Sequence, residues 1–405
     1  MNRQPYTVPY RRWSPKLKPH VVQWSRRLRD RTLRRSQQLV SIESLGLDHL
    51  TSAVQDGCGI MITANHAAHY DWAALYAVAD RVQQPLYFLT AWQVFAMSNR
   101  FHRWLMPRIG CYSIDRESTD RDAFRESVRV LCHEPHPLVI FPEGEVYHVN
   151  DRPTPFRSGA AAMARTAARR NVRPILMVPC AIKFWYVDDP TQSLLTMLDR
   201  CEARFDVASP TSLPLIDRVY RLGEVLLSMK EEYYLGHRRS GSIRNRMARL
   251  SEAILSRLER HYAHVTTTSS RPGDILDQVQ RLRHYIIERQ RFEIDVRRRQ
   301  SMDRDLDDLF FVVQLYSYPN HYLRQRPTIE RVAETIDKLE EDIFETEVPT
   351  VHGRRRVIVS FGEPIRVPSN ENTSADCVRL TQECADRVQA MLDELNANTT
   401  PAFVH

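Results

Sequence analysis

Between residues 43 and 185 the apolar positions fall into short, nearly continuous runs separated by stretches of helical spacing. Gly59–Ala64, Pro85–Thr90, Cys111–Ile114, Leu138–Phe141 and Ile175–Phe184 read as strands, each of strand length and bounded by polar or turn-forming residues. Asp71–Arg81, Trp92–Met106, Arg121–His133 and Gly159–Arg170 read as helices between them. This alternation predicts an α/β domain with a mostly parallel sheet and flanking helices. From about Asp188 the chain changes to long, charged, helical segments: Leu213–Leu235, Ser242–His261, Asp274–Gln300 and Thr328–Phe344. Breaks are expected at Ser209-Pro210, Gly236–Gly241, Arg271-Pro272-Gly273 and Tyr318-Pro319-Asn320. Strand character returns only at Arg356–Phe361, and Ala375–Leu395 reads as one more helix. No fixed-period repeat supports a solenoid. The expected organisation is an arm over 1–42, the first part of an α/β domain over 43–185, an all-helical insertion over 186–353, and a closing strand and helix over 354–405. A separate helical domain followed by a small third one is the less economical alternative.

In the arm, Val21, Trp24, Leu28, Leu33 and Val40 recur at roughly helical spacing among arginines, which predicts an amphipathic basic helix over Val21–Val40. Tyr10 and Trp13 are aromatics of the kind that sit at a bilayer interface; an arm packed on its own domain fits the pattern as well. Charge sharpens this picture. The 405-residue chain carries a formal +7, but eleven of its 57 Lys and Arg (Arg3 among them) lie in residues 1–40 against one of its 50 Asp and Glu, so the arm holds +10 and the remainder −3. An anionic membrane surface is therefore the expected partner of residues 1–40. Nucleic acid is not, since no aromatic-basic sheet, zinc spacing or helix-turn-helix pattern accompanies the charge. With 42% hydrophobic and 26% charged residues the chain is that of a folded protein. Its seven cysteines are odd in number, widely spaced and never arranged as Cys-x-x-Cys, as expected in a reducing compartment. No run approaches the ~18 apolar residues of a membrane span, and the N-terminus lacks the apolar core of a signal peptide. The expected location is cytoplasmic, peripheral on the cytoplasmic face of a membrane.

The chemistry concentrates at two predicted strand ends. Gly59–Ala64 runs into Asn65-His66-Ala67-Ala68-His69-Tyr70-Asp71 just before a helix, which puts an imidazole at the carboxyl edge of a parallel sheet, where open α/β folds place their sites. With the intervening turn folded, Asp71 reaches one ring nitrogen of His66 and leaves the other to act as a base. Asn65 and His69 are expected to hydrogen-bond within the same turn. A helix cap with a structural histidine satisfies the same spacing, and among fifteen histidines about one His-x4-Asp pair is expected by accident. The second strand, Leu138–Phe141, runs into Pro142-Glu143-Gly144-Glu145. Carboxylates at the end of a buried strand are odd for packing and natural for a site.

Together, Asn65-His66-x4-Asp71, Gly110-Cys111-Tyr112-Ser113-Ile114-Asp115-Arg116, Phe141-Pro142-Glu143-Gly144 and Val178-Pro179-Cys180-Ala181-Ile182 resemble the four ordered blocks of the glycerolipid acyltransferases. Phe156-Arg157-Ser158-Gly159-Ala160 and Phe361-Gly362-Glu363-Pro364-Ile365 resemble flanking features of that family. The likeness covers about 43–185 and 354–396.

The resemblance implies an O-acyltransferase in which His66, polarised by Asp71, deprotonates an acceptor hydroxyl as it attacks the thioester of acyl-CoA or acyl carrier protein, with no acyl-enzyme. It implies a glycerol phosphate or lysophospholipid as the membrane acceptor, bound by Arg116, Glu143, Gly144 and Arg157, with Asn65, Phe141, Pro142 and Pro179 in support. Val178-Pro179 is expected to shape the apolar part of the cavity. No metal site and no cofactor are expected. The chain departs from the family where a small hydroxyl residue and an arginine commonly follow Phe-Pro-Glu-Gly: here stand Glu145 and Val146. Either Arg157 replaces that cation or the acceptor lacks the phosphate it would meet. A non-catalytic lipid-binding scaffold whose helical insertion recruits a protein partner is the alternative reading.

Overall fold

The computed structural model describes residues 10–117, 120–207, 212–262, 275–318, 321–369 and 374–397. The expected breaks at Ser209-Pro210, Arg271-Pro272-Gly273 and Pro319-Asn320, and Arg3 of the arm, lie outside the described residues. An eight-stranded sheet is built from β1 (Leu39–Leu45), β2 (Gly59–Ala64), β3 (Tyr87–Ala91), β4 (Cys111–Ile114), β5 (Leu138–Ile140), β6 (Ile175–Tyr186), β7 (Arg355–Phe361) and β8 (Ile365–Arg366). Its order is β1-β7-β6-β2-β5-β3-β4, with β8 also on β6. All neighbours run parallel except β7 and β8, which are antiparallel to β6.

Around the sheet lie α1 (Pro19–Arg31), α2 (Leu47–Gln55), α3 (Asp71–Ala79), α4 (Trp92–Met97), α5 (Arg100–Arg108), α6 (Arg121–His133) and α7 (Gly159–Arg169). The helical region after β6 holds α8 (Thr191–Ala203), α9 (Leu215–Leu235), α10 (Ile243–His261), α11 (Ile275–Gln290), α12 (Val296–Ser317), α13 (Tyr322–Gln325) and α14 (Ile329–Phe344). The chain then returns through β7, wedged between β1 and β6, and ends in α15 (Ser374–Ala397), whose Val388 and Leu392 pack on Ala181 and Trp185 of β6.

β2 is buried at every position, as a central parallel strand covered on both faces must be. One face packs with α3 and the other with α6 and α7. The helical region has cores of its own. One of them, built from α9 to α12, also receives Tyr147 and Val149 from the loop that follows β5. No described helix is long and apolar enough to cross a membrane.

Several elements differ from their sequence patterns. The helix expected over Val21–Val40 stops at Arg31, passes through a π-helical turn at Thr32–Ser36, and enters β1 after Gln38 takes a left-handed φ of 49°. Pairing with β7 claims Leu39–Leu45 for the sheet. Trp92–Met106 is split because Asn99 caps a new helix, its side chain accepting the His102 N–H at 2.9 Å. Asp274–Gln300 is split likewise, Asp295 capping α12 through the Arg297 N–H at 2.8 Å.

The arm packs on the domain. Val21, Val22, Ser25 and Arg29 form the buried face of α1. Arg29 makes a two-pronged ion pair with Asp80 at 2.7 and 2.8 Å and lies over the Tyr76 ring. Trp13 stacks on Phe95, and the Tyr10 hydroxyl donates to Asp120 at 2.8 Å. Of the two readings of the arm, Tyr10 and Trp13 follow the one in which it packs on its own domain.

Candidate active site

β2 and β5 are parallel neighbours, with Met61 opposite Leu138 and Thr63 opposite Ile140. Their carboxyl ends therefore lie side by side and present the two motifs together. Asn65 locks the exit of β2 to β6: its side-chain amide donates to the Ile182 carbonyl at 3.0 Å, and its oxygen accepts the Ile182 N–H at 2.7 Å. His66 then turns back toward α3. Its Nδ1 is 2.9 Å from Oδ2 of Asp71, which opens the helix and is fully buried. The same oxygen accepts the Ala68 N–H at 2.9 Å. Facing an acceptor, Nδ1 is the donor of this contact, and in the neutral ring that leaves the lone pair on Nε2. The ring stacks on Phe141 with centroids 4.2 Å apart and remains 18% exposed.

Glu143 does not face outward. Its Oε1 accepts the His66 N–H at 2.6 Å, and its Oε2 accepts both the N–H of Thr154, at 2.9 Å, and the Thr154 hydroxyl. Burial pushes its pKa up to about 7; the Thr154 and His66 donors pull it down, and the Asp71 charge adds to the rise. Glu143, expected among the acceptor-binding residues, thus has both oxygens engaged within the protein, where they join the two motifs.

Gly144 closes the turn with φ +83°, its N–H donating to the Phe141 carbonyl at 3.1 Å. A side chain there would meet Arg157 Nε at 2.9 Å, so glycine serves both the left-handed conformation and the close approach. The Gly144 carbonyl accepts from the Arg116 guanidinium, and the Pro142 carbonyl accepts the Arg157 N–H at 2.9 Å. Arg116, Gly144 and Arg157 are thus brought together.

A small cavity, with room for about one water, opens there among Arg116, Arg157, Glu117, Glu145 and Arg283. Arg283 comes from α11, bonded to Glu117 at 3.0 Å and standing 3.8 Å from Glu145. Three guanidiniums against two carboxylates leave the cavity net positive. Arg283 is 126 residues beyond Arg157, and no spacing rule reaches it. Thr154 was nearer to hand, in the polar run Asn150–Thr154 after the second motif.

Val178 and Pro179 line neither this cavity nor a second one, of about 60 Å³, beside His69 and His148. Both are buried in β6, where the Pro179 carbonyl accepts the Gly362 N–H at 2.9 Å. They hold the sheet together, not an apolar wall of the two cavities. Asn65 and His69, expected to bond within the turn, both reach beyond it: Asn65 bonds Ile182 of β6, and His69 Nε2 reaches Glu341 of α14 at 2.7 Å.

The loop after Gly144 is anchored from both sides. Asn150 bonds the Phe184 backbone at 2.7 and 3.0 Å, while Asp151 pairs with Lys183 and with Arg331, the latter at 2.6 Å. Burial opposes ionisation of Asp151, and these two cations outweigh it, holding its carboxyl below the usual range. The helical region is therefore fastened to the loop that carries the second motif.

Residues 47–183 match the family model Acyltransferase. The match runs from α2 into β6 and includes both strand-end turns. No curated protein matches the chain.

Proposed function

From the acyltransferase-family domain over residues 47–183, we propose an O-acyltransferase that moves a fatty acyl group from a thioester, acyl-CoA or acyl carrier protein, to a hydroxyl of a glycerol phosphate or lysophospholipid. The observation that carries the reading is the 2.9 Å contact of His66 Nδ1 with Asp71 at the carboxyl edge of the sheet. In this scheme Nε2 takes the proton of the acceptor hydroxyl as its oxygen attacks the thioester carbonyl. Collapse of the tetrahedral intermediate breaks the C–S bond, and the departing thiolate receives the proton from the imidazolium. Asp71 stabilises that imidazolium and fixes its tautomer. Glu143 positions the base through the His66 backbone. Arg116 and Arg157, joined by Arg283, supply the cationic surroundings of an acceptor phosphate. Arg283 thereby offers the charge that Glu145 and Val146 do not.

An anionic bilayer is the proposed seat of the enzyme. The side of α1 turned away from the domain exposes Trp24 (60%) and Leu28, and α4 and α5 expose Val94, Met97, Phe101 (44%) and Trp104 (45%). Trp24 meets Phe101 edge to face at 6.5 Å, so the two elements form one patch. Exposed Arg26, Arg27, Arg31, Arg100 and Arg103 belong to the same helices. Interfacial aromatics with basic residues are what such a surface requires, and each Lys or Arg near an anionic leaflet contributes about 1 kcal/mol.

Thiol release from acyl-CoA and acyl carrier protein, measured with a panel of lysolipids and glycerol phosphates, tests the activity. Acceptor-dependent release that disappears in Asp71→Asn supports it. Absence of release with every pair favours the non-catalytic scaffold.

A further inference from the structure

His69, His148 and Glu341 come from three distant segments: the turn between His66 and Asp71, the loop after Gly144, and α14. Their ligand atoms all lie within 4.8 Å of one another. His69 Nε2 is 2.7 Å and His148 Nε2 is 3.0 Å from the same oxygen, Glu341 Oε1. The two rings meet at 70°, centroids 5.4 Å apart. The His148 side chain is 4% exposed and that of Glu341 is 0% exposed.

Both imidazoles therefore aim Nε2 at one carboxylate oxygen, and the His148 and Glu341 side chains are shut away from solvent. Two imidazoles and a carboxylate converging in this way form a familiar donor set for a divalent first-row ion, zinc above all. Bonds of about 2.0–2.1 Å in a tetrahedral site hold ligand atoms somewhat over 3 Å apart, so the two histidine–carboxylate separations of 2.7 and 3.0 Å need to open by only a few tenths of an ångström. Both rings also line a cavity of about 60 Å³, which offers the remaining coordination position to water.

We propose that His69, His148 and Glu341 bind a divalent transition-metal ion, zinc by preference, which fastens the helical region to the His66–Asp71 turn. The three ligands lie 79 and 193 residues apart along the chain, which is why no ligand spacing marks the site in the sequence. The proposal stands apart from the acyl-transfer reading: the ion pins α14 to the turn whatever chemistry His66 performs.

The test uses the full chain without an affinity tag, stripped by chelator and titrated with Zn²⁺ by calorimetry. One equivalent is expected to bind with micromolar or tighter Kd and to raise Tm. His148→Asn and Glu341→Gln should each weaken binding at least tenfold, whereas His237→Asn, on an exposed turn, should leave it unchanged. X-ray absorption of the zinc-loaded wild type keeps the test decisive even if a variant fails to fold. A nitrogen and oxygen shell with imidazole scattering is expected. Sulfur ligation by cysteines, failure of the wild type to bind an equivalent, or undiminished binding by folded variants overturns the proposal.

Discussion

Glu143 Oε1 accepts the backbone N–H of His66 at 2.6 Å, so the acid of one strand-end motif braces the histidine of the other. The two motifs are 77 residues apart in sequence and meet because β2 and β5 are parallel neighbours. A carboxylate in that position holds the turn through its backbone and leaves the imidazole ring to its contacts with Asp71 and Phe141.

This brace gives stability a definite pH dependence. The pKa of Glu143 is raised from the ordinary 4.5 to about 7, so between those values the native state binds a proton that the unfolded state has released. The stability due to this proton is fully present below pH 4.5 and is lost as pH rises through 7. Denaturant titrations of wild type and Glu143→Gln from pH 4 to 8 should therefore differ increasingly to the disadvantage of the wild type as pH rises. A pH-independent difference contradicts the assignment.

Gly144→Ala tests the neighbouring turn. A methyl group must adopt φ +83° and meets Arg157 Nε at 2.9 Å. The left-handed conformation alone costs about 1–2 kcal/mol, and moving Arg157 adds to it. Urea unfolding should show the loss, and KM for a phosphate-bearing acceptor should rise in the folded enzyme. An unchanged midpoint and KM contradict the prediction.

Arg283→Gln separates the contribution of the helical region from that of the α/β domain. If Arg116, Arg157 and Arg283 supply the charge that an acceptor phosphate meets, losing one of the three guanidiniums should raise KM for phosphate-bearing acceptors about tenfold or more. KM for an uncharged acceptor should hardly change. Equal effects on both classes would place the phosphate elsewhere.

The pattern of the chain revealed the centre of the fold and missed its edges, for physical reasons. β2, β4 and α6 have their expected limits because each is bounded by strong turn or capping residues; Asp120 caps α6 through the Ala123 N–H at 2.9 Å. β1 is hidden because most of its positions are partly or wholly exposed and only its pairing with β7 makes it a strand. In the candidate site, His66, Asp71 and the Phe141–Gly144 turn were legible as local motifs at strand ends. The direction of the Glu143 carboxylate was not, since Thr154 and the His66 amide decide it. Arg283, His148 and Glu341 depend on how the helical region docks, which no local pattern encodes.

The aromatic patch makes a separate prediction about location. Trp24→Ser combined with Phe101→Ser removes its two meeting rings without touching the buried face of α1. Sedimentation with anionic vesicles should fall severalfold, while neutral vesicles bind weakly in either case. Undiminished binding to anionic vesicles by the double variant would exclude this face as the anchor.

The most direct measurement of the central claim is acceptor-dependent thiol release by wild type and His66→Ala, with circular dichroism confirming that both are folded. Loss of the base should lower the rate by at least about 100-fold without moving the Glu143 contacts, which use the backbone of residue 66. Transfer by folded His66→Ala at the wild-type rate would contradict the account.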